Sequence, residues 1–528
     1  VKEWLLKPFK DINFIAIIII ALAYNSIINR ADEDFWGRLY CGASYLLNQG
    51  VLYQDIFAFT TTKSIWVDHE WLSSIIFFLI FKYAGSTGIL ILKWVFITTL
   101  IGLIYFASRL RLDGKKNILF LLLVLLAIEP GVVSNIRVHN FTYIFFAFWL
   151  LILEFSRQKD NYKYLWILPV SFVLWVNLHA GCVAGLALVA IYAISNFLQK
   201  KDLKPYLYVF FSGLFLILLN PYGYHYYGYI LDELTSKHDA ITEWEPIRLF
   251  DINHFKFFKL LLITTVFAFI FSKRSKSDPV PLLLLISLGY FSLGSVRHTI
   301  LFSIVAGVFV YEHLSDVYQR IVKLITSHWS SSALNKLDFA VNKGLAFFLI
   351  LLFVPTLIRL NILTWQIEAP LSSYPVYAVS FMKNNDLKGD VLLPFKWGQY
   401  VTWRLFPDVQ VSIDGRHAQV YPQKVFNLNN DFYFARPGWQ RILKQFNPDI
   451  LLVDKAESPV YKELKKMDEW ISVYEDQYTS IMLPQNDPRI GILSEIKRVQ
   501  PGNIDNYDSW FTGKINKNYV KIYSSTVK

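Results

Sequence analysis

Apolar runs long enough to cross a bilayer recur along this chain, parted by short polar stretches. Phe14 to Ala23, Leu119 to Ile128, Phe141 to Leu153, Leu261 to Phe271 and Leu345 to Val354 are examples. Each extends into about 17 to 25 residues of low polarity, the length of helix that covers roughly 30 Å of hydrocarbon. The first run precedes a tryptophan-containing acidic loop rather than a small-residue cleavage site, so it reads as a signal anchor. Between Glu70 and Tyr83 the apolar stretch is only about 14 residues, which suits a helix lying in the outer interface better than a span. After Asn361 the pattern changes. Short strand-like runs at Val391 to Pro394, Val409 to Ile413 and Asp449 to Val453 alternate with helical ones at Gln440 to Phe446 and Tyr461 to Trp470, which predicts a small α/β domain. The expected fold is therefore a polytopic α-helical membrane protein. Residues 1–362 form its transmembrane domain, with a large first outer loop at 30–87, and residues 363–528 form a C-terminal extracytoplasmic α/β domain.

The basic residues orient the spans. Lys2, Lys7 and Lys10 precede the first run and place the N-terminus in the cytoplasm. The loops then assigned inside carry Arg109, Arg111, Lys115 and Lys116; Arg157, Lys159 and Lys163; Lys200, Lys201 and Lys204; and Lys273, Arg274 and Lys276. The outer loops are acidic or nearly neutral, with Asp32, Glu33, Asp34, Asp55, Asp68 and Glu70 in the first, and Asp232, Glu233, Asp239, Glu243, Glu245 and Asp251 in a later one. About eleven spans result, beginning near residues 12, 88, 118, 141, 164, 181, 206, 257, 279, 299 and 343. The C-terminal domain falls outside.

Composition agrees with the bilayer as solvent: 54% of residues are hydrophobic, 17% aromatic and only 18% charged. The net charge of +11 is explained by cytoplasmic loops, so no nucleic-acid partner is expected. The two cysteines, Cys41 and Cys182, are too few for a disulfide framework and lack metal-ligand spacing.

Charge at membrane depth is costly, so its location carries information. His69 and Glu70 start the interfacial helix; Arg137 and His139 join spans three and four; Asn177 and His179 join five and six. Tyr222, His225, Glu243 and Glu245 lie between seven and eight, and Arg297 and His298 between nine and ten. All of these turns face outward, with Asp32, Glu33 and Asp34. Taken singly, such residues are solvated loops or headgroup anchors, and Lys93 either snorkels to the interface or reaches a lipid phosphate. Together they hold the parts for group transfer from a phosphate-linked donor. A carboxylate accepts the proton of an attacking hydroxyl, and Arg and His donate to the departing phosphate. Paired Asp and Glu oxygens also suit a divalent Mg or Mn ion. Ile413-Asp414-Gly415-Arg416 reads as a strand ending in a turn, or as a substrate contact. No P-loop, dinucleotide fingerprint, nucleophile elbow or His-Glu-x-x-His occurs.

Ala31-Asp32-Glu33-Asp34-Phe35-Trp36, Gly42, Asp55 with Phe57-Ala58-Phe59-Thr60, Trp66 and His69-Glu70-Trp71-Leu72 together resemble the first-loop signature of bacterial multi-span proteins with GT-C-like architecture. The wider superfamily includes protein mannosyltransferases and aminoarabinose transferases. Arg137-Val138-His139, Trp175-Val176-Asn177-Leu178-His179, Asn220-Pro221-Tyr222-Gly223, Glu243-Trp244-Glu245-Pro246, Arg297-His298, Trp397-Gly398-Gln399-Tyr400 and Ile413-Asp414-Gly415-Arg416 continue the likeness over most of the chain. The resemblance implies transfer of a sugar from a polyprenyl-phosphate-linked donor to a glycan, lipid or protein acceptor, in the bacterial inner membrane. It implies Asp32 or Asp34 as base or metal ligand, with Glu33 between them and Glu70 as a second acidic group. Arg137, His139, His179, Arg297 and His298 would line the donor site. A glycan polymerase or ligase, a transporter and an envelope scaffold are the alternatives.

Overall fold

The computed structural model describes residues 10–112, 117–132, 136–235, 242–274, 278–325, 331–364 and 366–494. Lys2, Lys7, Lys115, Lys116, Asp239 and Lys276, used above to orient the spans, lie outside the described residues. The chain divides into two compact units. One comprises Val1–Asn29 and Leu90–Trp365, and the other Arg30–Ile89 and Gln366–Lys528. Residues 30–89 group with the C-terminal residues.

The first unit is helical. Apolar segments begin at Ile12, Ile118, His139, Tyr162, Ala180, Lys204, Lys256, Pro279 and Thr299, close to the expected positions. Among the described residues five helices are long and apolar enough to cross a membrane, and shorter apolar helices accompany them. Their starts follow local chemistry. Asp11 caps Ile12–Asn25 by accepting from the Asn13 amide at 3.1 Å, and Asp278 caps Pro279–Gly294, whose proline sits where no amide is needed. Outward-facing Phe211, Phe215, Ile263, Ile286, Phe347, Phe348 and Leu351 are more than half exposed, a pattern suited to lipid rather than water. Several bases assigned to the cytoplasmic loops are not merely solvated. Arg111 and Arg157 bond Glu154 at 3.0 and 2.9 Å, both also bond Asp278, and Arg111 reaches Glu312 at 2.6 Å. Glu154, wholly buried, also accepts from Tyr192 at 2.6 Å. A carboxylate so buried requires such partners.

The helix Trp71–Arg111 is continuous except at Gly85, whose φ of 55° and ψ of −151° break it into two. Glycine tolerates that conformation and other residues do not. The break lies just past the stretch expected in the interface.

The second unit is built on a five-stranded sheet of β1 (Gly389–Leu392), β2 (Val409–Val411), β3 (Ile450–Asp454), β4 (Trp470–Glu475) and β5 (Thr479–Pro484), in the order β2-β1-β3-β5-β4. β1 runs parallel to β2 and β3, while β5 is antiparallel to β3 and β4. Buried along its whole length, β3 has the continuous apolar run of a central strand. The expected strands are present, but the helix foreseen at Tyr461 to Trp470 stops at Leu464, and Trp470 opens the β4–β5 hairpin instead. Asp476 holds that turn, accepting from the Tyr478 and Thr479 amides at 2.8 and 2.7 Å.

Residues 30–89 complete this unit. Ala58 bridges Val411 in parallel, and Arg30 bridges Glu368. Tyr40, Tyr45, Phe57 and Trp66 share one core with Ile413, Tyr421, Val425 and Phe426. The helices Glu33–Leu47 and Trp71–Arg111 cross at Gly42, where a Cβ would come within 2.2 Å of the Ser74 carbonyl. Inside this core Asp414 accepts from Tyr40 at 3.0 Å and from Arg416 at 2.7 Å, and Asp55 pairs with the same guanidinium. The Arg416 side chain is 0% exposed and lies over the rings of Tyr40, Phe57 and Trp66. The Asp-Gly-Arg motif is thus an internal ion cluster.

Candidate functional site

In the first unit, the helix junctions bring the expected cations and imidazoles together. Arg297 follows Pro279–Gly294 in a 3-10 turn, and His139 opens the helix His139–Gln158. Arg297 donates to His139 Nε2 at 3.1 Å. Its guanidinium lies 4.9 Å from the Trp244 ring centroid and 3.7 Å from Glu233. The rings of His139 and His179 are 4.5 Å apart. Arg137 pairs with Glu243. The Glu243 carbonyl accepts from Ser295 at 3.0 Å, and Val296 donates to the Glu245 carbonyl at 3.0 Å, so backbone and side chains both tie Glu243-Trp244-Glu245 to the turn that carries Arg297. His298 lies beside Trp244 and Phe291.

Hydrogen bonds decide which nitrogens carry protons. Arginine can only donate, so His139 Nε2 accepts and its proton sits on Nδ1. His179, 2% exposed, receives the Gly181 amide at Nδ1 at 2.9 Å, so its proton sits on Nε2. Asn177 turns back on its own helix, donating to the Val173 carbonyl at 2.8 Å. Lys93 is 2% exposed and donates to the carbonyls of Asn25 and Ile28 at 2.9 and 2.5 Å. There it satisfies the end of the first helix, where carbonyls lack partners and the dipole favours a cation.

The second unit holds the acidic candidates. Asp32 caps Glu33–Leu47, accepting from the Asp34 amide at 3.1 Å, and Asp34 and Glu33 occupy its first turn, where negative charge is favoured. Asp32, Glu33 and Asp34 are half-buried. Burial, together with the charges of Glu33, Asp32 and Asp34, pushes the Tyr374 phenol up; its hydroxyl donates to the Ala31 carbonyl at 3.1 Å. Trp36 stands edge-on to Tyr374 and Tyr400, with ring centroids 6.0 and 5.2 Å away.

Glu70 accepts from Arg38 at 3.0 Å and lies 3.2 Å from His69 Nε2. Arg38 also binds Asp68 at 2.9 Å, and Tyr45 donates to the second Asp68 oxygen. Burial works against the charge on Arg38, but Asp68 and Glu70 hold its guanidinium well above the ordinary value. Arg38 stands one helical turn after Asp34, on the same face. Sequence reasoning passed over Arg38, Tyr374 and Thr142. The i to i+4 spacing from Asp34 was the available signal for Arg38; nothing local marked the other two.

These elements define the class of fold: mostly helical, with several apolar helices and a C-terminal sheet domain. Solved structures of the oligosaccharyltransferase of Archaeoglobus fulgidus are similar to it. The apo form aligns with a TM-score of 0.54 at 12% identity, over 83% of this chain and 69% of that one. The form tethered to an acceptor peptide containing the NVT sequon aligns with a TM-score of 0.55 at 11% identity, over the same shares. The complex with an inhibitory peptide and a dolichol-phosphate gives 0.53 at 13%, again over 83% and 69%. No family model matches the chain, and no curated protein does. At such identity, the likeness is one of fold.

Proposed function

We propose that the protein transfers a sugar from a polyprenyl-phosphate-linked donor to a glycan, lipid or protein acceptor at the outer face of a bacterial inner membrane. In this reading the chain crosses the bilayer about eleven times, with its N-terminus in the cytoplasm and its C-terminal domain outside. The observation that carries the reading is the convergence of Arg137, Arg297, His139 and His179 in the helical unit of a chain with an oligosaccharyltransferase-like fold. Arginines are the side chains best suited to a phosphate, through charge-assisted and bidentate hydrogen bonds. Their pull strengthens as the leaving phosphate gains charge, so they favour the transition state over the bound donor.

The base comes from the acidic turn. In this proposal Asp34, in the first turn of Glu33–Leu47, accepts the acceptor's proton. Asp32, Glu33 and Asp34 are also the residues that would hold a Mg or Mn ion, being hard oxygen donors of the kind these ions take. Such an ion would supply Lewis-acidic positive charge at that turn.

Surface glycans and lipid-linked sugars of a strain lacking the protein test this by mass profile. Wild type restores a missing hexose-sized or pentose-sized unit, and Asp34→Asn at equal expression does not. Full restoration by Asp34→Asn would remove the base role and favour a polymerase or ligase, which needs no first-loop carboxylate.

A further inference from the structure

The geometry points to Thr142 as a positioning residue that, with Trp175 and Gly181, fixes His179 so that its Nε2 proton donates to a phosphate oxygen of the lipid-linked donor. This rests on the donor reading above but concerns a different set of residues. Thr142 lies one turn into the helix His139–Gln158, Trp175 near the end of Ile167–Leu178, and Gly181 just beyond His179. Thr142 and Gly181 meet the imidazole, and Trp175 reaches it through Thr142.

The direction of each hydrogen bond follows from what its atoms can do. The Trp175 indole only donates, and it gives its proton to Thr142 Oγ1 at 3.1 Å. Thr142 Oγ1 lies 2.9 Å from His179 Nδ1. The Gly181 amide also only donates, to the same nitrogen at 2.9 Å. With Nδ1 receiving the amide, the contact from Thr142 is a hydroxyl donating to Nδ1, and the hydroxyl oxygen is left to accept from Trp175. The relay runs one way, from indole to hydroxyl to imidazole. The ring is thereby committed to the Nε2–H form, a donor where an acceptor or a base would have its proton missing.

The packing around the relay is close. A Cβ at Gly181 would sit 2.4 Å from Thr142 Oγ1 and 2.9 Å from His179 Nδ1, so glycine is required for this approach. Trp149 lies edge-on to Trp175 at 5.4 Å between ring centroids, and Phe145 stacks on the Trp175 ring at 5.5 Å. The donor end of the relay is therefore rigid. His179 in turn neighbours His139, which accepts from Arg297. The His179 imidazole is thus one ring removed from the cation assigned to the phosphate, and its proton is carried without a charge. An anionic phosphate oxygen is the ligand atom such a donor suits.

Binding of farnesyl phosphate to the full-length protein in detergent, with farnesol as control, tests the inference. Wild type is expected to bind the phosphate better than the alcohol. Thr142→Val should weaken phosphate binding about tenfold, the loss expected for one hydrogen bond to a charged group, and Thr142→Ser should stay within about twofold of wild type. On a His179→Ala background, Thr142→Val should add nothing, because it acts through a ring no longer present. Gly181→Ala, which displaces the hydroxyl, provides a second route to the same loss where Thr142→Val fails to fold. Unchanged binding by Thr142→Val or Gly181→Ala, loss in Thr142→Ser, or a further loss on the His179→Ala background overturns the positioning role while leaving the donor reading in place. Equal binding of farnesyl phosphate and farnesol by wild type overturns the donor reading itself, and this inference with it.

Discussion

Replacing Arg416 by methionine removes the one cation that neutralises two carboxylates inside the second unit. The three side chains are almost wholly enclosed, with Arg416 0%, Asp414 0% and Asp55 1% exposed. Methionine keeps much of the volume and the contact with Tyr40, Phe57 and Trp66 but leaves Asp55 and Asp414 without a counter-charge. Deleting one partner of such a buried pair costs about 3–5 kcal/mol. In a domain of 150–250 residues each kcal/mol moves Tm by about 2–4 °C, so the transition of this unit should fall by roughly 10 °C. Tryptophan fluorescence during heating, on full-length protein in detergent, reads this directly, since Trp66 and Trp397 are buried there. The loss should also depend on pH. Burial already pushes the Asp55 carboxyl up, against the pull of Arg416, and without the guanidinium it must rise further. A carboxyl with a raised folded value contributes stability below its unfolded value, near 4, and loses it as pH climbs through the raised one. Arg416→Met should therefore differ least from wild type in acid and most at neutral pH. A Tm within about 2 °C of wild type at neutral pH, where each kcal/mol is worth that much, would refute the reasoning.

Other predictions concern the same unit. Glu475 is pushed up by burial, but hydrogen bonds from Lys465 and Ser472 and the charges of Lys465 and Lys455 outweigh this and hold it at about 2. Its contribution is thus present above the unfolded value and lost as pH falls through about 2, so Glu475→Gln should lower Tm near neutrality and match wild type at the acid limit. Burial pushes the Cys41 thiol up, so it should resist maleimide in native protein at neutral pH and react after denaturation; fast native labelling would contradict its enclosure. Gly42→Ala, with a Cβ 2.2 Å from the Ser74 carbonyl, should destabilise by about 1–3 kcal/mol in chemical unfolding, and an unchanged midpoint would show that the helices can part there.

How much of this was legible in the sequence depended on range. The apolar helices were, because a run such as Phe141 to Leu153 carries its own length and period, and three of five strands were, because Ile450–Asp454 and its neighbours are short, apolar and bounded by turns. The hairpin of β4 and β5 was not: Trp470–Glu475 is only partly buried, and its mixed pattern fits the end of a helix equally well. The membership of residues 30–89 was hidden for a different reason. Asp55 and Arg416 lie 361 positions apart, and no local pattern says that one will neutralise the other. Of the candidate residues, Arg137, His139, His179 and Arg297 were singled out by their positions in turns. Thr142 looked like any helical threonine, since its role exists only once Trp175 and Gly181 are beside it.

The division of the second unit between two chain segments bears on how the protein is made. Residues 30–89 leave the ribosome early, but the strands and the Arg416 that complete their core follow only after roughly 300 residues or more. At synthesis rates of about 5–20 residues per second, Tyr40, Phe57 and Trp66, which precede Arg416 by roughly 350 to 375 residues, wait about 17 to 75 s for their partners. During that interval the early segment carries Asp55 without its cation and an aromatic cluster without its cover. The protein thus passes through a period of exposure during synthesis, and a chain that ends before Arg416 keeps Asp55 without its counter-charge.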